Sequence, residues 1–106
     1  MITGSQVKLS MCKILKKGMS MDKKEYTCTV DLYDIEAEKM HLQISEDDLN
    51  YIYLDAKYTC KIYTEDQVLS CEGIIKERYQ GVEGSMVIFY IENGFYDITE
   101  MLKCEL

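Results

Sequence analysis

The feature that most constrains the fold of this chain is a series of short segments in which apolar residues recur at every second position. These segments are rich in Tyr, Val and Ile. Glycines and acidic turns separate the segments, and the chain contains no proline. A period of two places alternate side chains on opposite faces of a sheet, so each segment is typical of a half-buried strand. The pattern predicts an all-β fold, a small antiparallel split β-barrel of six to seven strands with one short helix.

The length and the charge of the chain limit its organisation and its partners. A chain of 106 residues can bury one hydrophobic core, so we expect a single domain over 1–106, with a loose start at 1–5 and a tail at 99–106. The formal charge of −7 repels phosphate backbones and anionic lipids, and no nucleic-acid partner is expected. No segment resembles a signal peptide or a membrane helix, which predicts a cytoplasmic protein without membrane insertion.

The phase of the alternation assigns side chains to the core. The predicted strands cover 6–16, 26–35, 39–44, 57–64, 68–78 and 85–91, with a last short strand at 95–98. In the second strand the residues expected to face inward are Tyr26, Cys28, Val30 and Leu32, and in the fourth they are Tyr58, Cys60 and Ile62. The first strand loses its phase near its end, which indicates a bulge, and Gly73 marks a bend in the fifth.

A change of pattern after the third strand predicts a helix. Ser45 supplies an N-cap hydroxyl, and three acidic residues follow it in what would be the first helical turn. One or two helical turns over 46–53 would therefore close one end of the barrel. The residues expected to face the core from this segment are Leu49, Ile52 and Tyr53.

The strand at 85–91 is apolar on both faces, so it must be covered on both sides by its own domain or by a partner. We therefore predict a candidate interaction surface that includes Val87, Phe89 and Ile91. The predicted surface also includes Tyr63 and Tyr96, because an aromatic ring with a polar tip suits recognition. The expected partner is another protein, a neighbouring domain or a second copy of the chain.

The sequence offers no recognisable reactive site. The five cysteines include no CxxC pair, and Cys28, Cys60 and Cys71 fall in phase with core positions, where a reduced thiol acts as a small apolar group. His41, the single histidine, is expected on the outward face of its strand, and the acidic residues cluster in turns. We predict no catalytic, cofactor-binding or metal-binding residues, and a protein that is not an enzyme.

Four segments carry a resemblance to a known family: LQISEDDL (42–49), LDAKYTCKIYTEDQ (54–67), LSCEGIIKERYQG (69–81) and MVIFYI (86–91). Their spacing resembles the split β-barrel that precedes the PilZ domain in bacterial flagellar-brake proteins. The PilZ motifs RxxxR and D/NxSxxG are absent, and Arg78 is the single arginine. The resemblance thus implies docking in a second-messenger or motility pathway, and it argues against direct binding of cyclic di-GMP.

Two interpretations of function follow. The first is a non-enzymatic regulatory or adaptor barrel that acts through protein–protein contacts. The alternative is a small-ligand or flavin-binding split barrel that uses its tyrosines or basic side chains. A single arginine and scattered lysines disfavour the flavin version, because such barrels hold the cofactor phosphate with basic groups.

Overall fold

Within the described residues, seven antiparallel strands and two short helices make up the fold. A computed structural model describes residues 2–105, with side chains over 2–102. The elements in chain order are β1 Gln6–Ile14, β2 Glu25–Asp34, β3 Lys39–Ile44, α1 Glu46–Leu49, β4 Ala56–Tyr63, β5 Val68–Gly81, β6 Gly84–Ile91, β7 Tyr96–Asp97 and α2 Thr99–Glu105.

Six of these strands close into a barrel. Neighbours follow the order β4-β1-β2-β3-β6-β5, and β4 also pairs with β5 to complete the circle. The meander β1–β2–β3 with β4 beside β1 has the strand order of a Greek key. The short β7 pairs with the first half of β5 as a seventh strand. The predicted all-β barrel of six to seven antiparallel strands is therefore confirmed.

The barrel interior is filled by the inward residues of each strand, as the period of two requires. The core residues expected in β2 and β4 are buried: Tyr26, Cys28, Val30, Tyr58, Cys60 and Ile62. Val7, Leu9 and Met11 of β1 join them. Successive strands thus contribute alternate residues to one continuous apolar cluster.

Register shifts interrupt the strand pairing at three points, one each in β1, β2 and β5, and the third lies between Ile75 and Glu77. The expected bulge in β1 lies between Met11 and Lys13. A second register shift between Val30 and Leu32 turns Leu32 outward, where 50% of its surface is exposed. The expectation that Leu32 faces the core was therefore wrong. Tyr33 packs against the core instead, with its ring centroid 5.6 Å from that of Phe95.

At Gly73, where we predicted a bend, β5 passes from one neighbouring strand to another. Gly73 is in register with Tyr58 of β4 and also with Ile91 of β6. A Cβ atom here would overlap the carbonyl oxygen of Tyr90 and lie 2.9 Å from the Phe89 ring. The absence of a side chain at this position is what allows β5 to contact both strands at once.

Helix α1 begins at the predicted cap and is shorter than expected. The Ser45 hydroxyl accepts a hydrogen bond from the Asp48 amide at 3.2 Å. Leu49 and Ile52 are buried as predicted. Tyr53 is exposed, so its assignment to the core was wrong, because the helix ends before it and helical spacing no longer applies.

The two ends of the chain are attached to the barrel in different ways. The Gly4 amide donates to the Val30 carbonyl at 2.8 Å, and the Val30 amide donates to the Ser5 carbonyl at 3.0 Å, which extends β2 pairing into the predicted loose start. In α2, Leu102 is half-buried and Met101 is exposed. The side chain of Cys104 lies outside the described residues. Within residues 2–105, no helix has the length and apolar character needed to cross a bilayer.

We expect Gly73→Ala to lower the free energy of unfolding by about 3 kcal/mol, because the added methyl group must displace backbone and an aromatic ring. Gly94→Ala is the matched control, since no atom lies within 4 Å of a Cβ at that position. The control should change stability by no more than about 0.5 kcal/mol. Urea unfolding of both variants measures the difference, and equal stabilities would contradict the proposed close approach at Gly73.

Candidate binding surface

The inward face of β6 contains three of the five residues that we predicted on an interaction surface. Val87 and Phe89 are 0% exposed and lie in register with Leu42 and Met40 of β3, whose side chains also fill the core. Ile91 is half-buried and packs against the same cluster. The prediction of an exposed surface at Val87 and Phe89 is therefore corrected: barrel closure places this face inside.

The outward face of β6 is also covered by its own chain. Met86 and Ile88 are only 3% and 7% exposed, although they point away from the core cluster. Tyr90 is half-buried on the same face, and the Nζ atoms of Lys39 and Lys76 lie 5.8 and 4.7 Å from its ring centroid. An apolar strand with two covered faces therefore does not require a partner here.

The remaining two predicted surface residues lie elsewhere on the barrel. Tyr63 is half-buried at the end of β4, in register with Gln6, and it lines a polar cleft of about 710 Å³ with residues 2–6, 64–67 and Leu69. Tyr96 is exposed in β7, beside Ser70 of β5. The five predicted residues thus do not form one exposed patch.

A different exposed surface lies on the loops that precede β2 and β4. Of the eleven large apolar residues that are exposed within the described part of the chain, five lie on these two loops. We call this surface the tyrosine end; its residues are Leu15, Met21, Tyr51, Tyr53 and Leu54. The loops meet where the Leu15 amide donates to the Asp55 carbonyl at 2.9 Å. Such a concentration of exposed apolar side chains is typical of an interaction site.

A cleft of about 470 Å³ opens within the tyrosine end. Residues of both loops line it together with the first core residue of β2: Ser20, Met21, Asp22, Lys24, Tyr26, Tyr51 and Tyr53. The lining is aromatic and apolar with two opposite charges. This composition matches sites that hold a ligand by apolar contact and orient it by a few polar groups.

The ammonium group of Lys24 lies at the centre of these contacts. Its Nζ is 3.1 Å from Asp48 Oδ1, 5.1 Å from the ring centroid of Tyr26 and 5.8 Å from that of Tyr51. Aromatic faces attract cations through their quadrupole, and the carboxylate adds a charge-assisted hydrogen bond. The cleft therefore provides a binding position for one ammonium group.

Asp22 forms hydrogen bonds with two other residues that line the cleft. Its Oδ2 accepts a hydrogen bond from the Tyr26 hydroxyl at 2.5 Å, and its Oδ1 accepts one from the Lys24 amide at 3.0 Å. Burial, and then this bond to Asp22, raise the pKa of the Tyr26 hydroxyl. Tyr26 therefore remains a neutral donor whose ring presents a fixed face to Lys24.

The loop before β4 is held by bonds to the barrel. Arg78 Nη1 lies 2.6 Å from the Ile52 carbonyl oxygen, and 3.5 and 3.4 Å from those of Leu49 and Asn50. The Tyr58 hydroxyl accepts a hydrogen bond from the Tyr53 amide at 3.1 Å. These contacts fix the backbone on both sides of Tyr51, so its exposed ring is presented from an ordered segment.

The buried cysteines are part of the core. Cys60 and Cys71 lie directly opposite each other in β4 and β5. A hydrogen bond with Cys71, followed by burial, raises the pKa of Cys60, and burial raises the pKa of Cys28 to about 12. Thiols in this state are poor nucleophiles, since the thiolate is the reactive form. Over the described side chains, no three or more His, Cys, Asp or Glu residues are grouped so that they could hold a metal ion.

The sequence contained one indication of the tyrosine end that the helical interpretation overlooked. In the segment NYIYLD (50–55), Tyr51 and Tyr53 alternate with Ile52, and only Ile52 is buried. This is strand-like spacing, not helical spacing. The proximity to Lys24 depends on the fold and has no local sequence signal.

Comparison with known proteins adds no family. No protein-family model matches the chain, and neither a curated protein nor a solved structure matches it. The resemblance to PilZ-associated barrels therefore stays a prediction.

The raised pKa of Cys28 predicts a loss of stability in alkali. Below the unfolded value of 9.0 the thiol is protonated in both states; above it, the unfolded thiol ionises while the folded thiol stays neutral up to pH 12. Between pH 7.5 and 10.5 we expect the wild type to lose about 2 kcal/mol more unfolding free energy than Cys28→Val, which cannot ionise. Urea unfolding at both pH values measures this, and identical pH dependence in the two proteins would contradict it.

Proposed function

We propose that this chain is a non-enzymatic adaptor barrel that binds another protein through the tyrosine end. The observation that supports this most directly is the exposure of Tyr51, Tyr53 and Met21 around one cleft. Tyrosine and methionine are enriched in protein interfaces, and tyrosine orders few rotamers on binding. The bonds from Arg78 and Tyr58 reduce the ordering cost further, because the loop backbone is already held.

The charge of the chain favours a basic partner. The formal charge is −7, and the first turn of α1 carries Glu46, Asp47 and Asp48, of which Asp48 lies 3.1 Å from Lys24 of the cleft. The negative charge of this chain would attract a partner surface with lysines at long range and would repel acidic competitors. This charge complementarity favours a basic partner protein over a second copy of the same acidic chain.

The pathway rests on the family resemblance. We place the protein in bacterial second-messenger or motility signalling, in the cytoplasm, as a docking module. Asp22 lines the cleft, Asp48 lies beside its Lys24, and no arginine lines it, which makes it a poor environment for a dinucleotide with two phosphates. Titration with cyclic di-GMP should therefore leave the amide NMR spectrum unchanged.

A second candidate function is small-ligand binding in the cleft beside Tyr63. Its volume of about 710 Å³ would accommodate a metabolite, and it is lined by hydroxyl, amide and carboxylate groups. A thermal-shift screen with nucleotides, flavins and aromatic metabolites distinguishes this from the adaptor role, because a ligand specific to the native state raises the melting temperature.

The adaptor role predicts that a charge at Tyr51 abolishes partner capture. We expect Tyr51→Glu to weaken association at least tenfold, because it buries a carboxylate in an apolar interface beside Asp48. Tyr96→Glu is the matched control: it changes an equally exposed tyrosine on β7, outside the tyrosine end. The measurement is affinity capture from the source cytoplasm, followed by titration of the purified partner.

Both substituted side chains are 60% exposed, so the two variants should retain the far-ultraviolet spectrum and the melting temperature of the wild type. Capture of the same proteins by wild type and Tyr51→Glu would contradict the proposed function. Loss of capture with Tyr96→Glu alone would move the interface to β7.

A further inference from the structure

The Lys24 side chain has the properties of an intramolecular ligand. It extends from an exposed loop, 57% of its surface is exposed, and only its terminal group makes the contacts described above. An ion pair of this kind on the surface contributes little to folding. The position next to Asp48 and the two rings is therefore available to a competing cation at low cost.

The geometry selects the chemistry of that cation. Lys24 Nζ contacts one oxygen of Asp48, Oδ1, at 3.1 Å, and Asp22 already accepts from Tyr26 and from the Lys24 amide. A compact ammonium with three donors fits one acceptor between two ring faces, whereas a guanidinium prefers a carboxylate that accepts through both oxygens. A trimethylated ammonium would lack the proton that the Asp48 bond requires.

The walls of the cleft suit the rest of a lysine side chain. Met21, Tyr51 and Tyr53 supply exposed apolar surface next to the ammonium position. The methylene stem of a lysine can pack on such a surface while its charged end reaches the acceptor.

We infer that the cleft binds the unmethylated ammonium of a lysine side chain of the partner protein, which replaces Lys24 between Tyr26, Tyr51 and Asp48. This inference rests on the proposed function for the identity of the partner. The ammonium site itself rests on the Lys24 contacts. Lys24 would then act as an internal competitor that keeps the cleft occupied until a partner lysine arrives.

The test uses three small probes: Nα-acetyl-lysine methylamide, its trimethyl-lysine analogue and its norleucine analogue, which lacks the charge. Each is titrated into the wild type and into Lys24→Met, which keeps an apolar stem and removes the resident ammonium. The backbone amide shifts of Tyr51 and Asp48 report binding. We expect the lysine probe to bind Lys24→Met at least threefold more tightly than the wild type, because the competitor is absent. We expect the norleucine and trimethyl probes to bind at least fivefold more weakly than lysine.

A second variant tests the acceptor. In the Lys24→Met background, Asp48→Asn should remove the preference for lysine over norleucine, since an amide does not attract the charge. The Ser45 cap is preserved in this variant because it uses the Asp48 backbone amide. Unchanged melting temperatures would show that both variants are folded.

Three results would overturn the inference: equal binding of lysine and norleucine probes, preferential binding of the trimethyl probe, or no gain in Lys24→Met. If the lysine probe fails while Tyr51→Glu still abolishes partner capture, the ammonium inference fails and the adaptor role stands. If the probe binds as expected but Tyr51→Glu leaves capture unchanged, the adaptor role fails and the ammonium site stands.

Discussion

The structure depends on the pairing of β5 with β4 and β6 at the same time. This pairing turns an open sheet of six strands into a barrel, and it requires the backbone of Gly73 to lie against the backbone of Tyr90. Closure removes the exposed strand edges between β4 and β5 and gives each strand an interior face. The loops at the barrel ends are then left as the places where exposed apolar residues concentrate.

The tyrosine end shows how a core can support a surface. The buried residue Tyr26 presents its ring face to Lys24 while its hydroxyl is bound by Asp22, and the buried Tyr58 holds the backbone of Tyr53. Both rings belong to the barrel interior, yet both determine the geometry of an exposed cleft. The presence of tyrosine at these two positions is understandable on this basis, because phenylalanine could fill the same volume but could not bond to the loops.

Local pattern predicted the fold and failed to predict the site, for a physical reason. Alternation assigns a phase wherever one face is polar, as in β2 and β4, so Tyr26 and Tyr58 were placed correctly in the core. In β6 both faces are apolar, so the sequence does not show which face points into the barrel. The interpretation of Val87 and Phe89 as surface residues therefore had no support from the local pattern. A bulge, as at Leu32, reverses the phase without any change in composition. Lys24 is about 25 residues away in sequence from Tyr51 and Asp48, and the closed barrel brings these three residues into contact.

The single arginine of the chain has a consequence for kinetics. Arg78 directs its guanidinium to backbone carbonyls of the segment from Leu49 to Ile52, so rearrangement of that segment requires the release of several hydrogen bonds. The backbone of a loop held in this way already has its bound conformation when a partner approaches. Association at this end of the barrel should then proceed without a slow backbone rearrangement, at a rate set by diffusion, charge and the release of the Lys24 side chain.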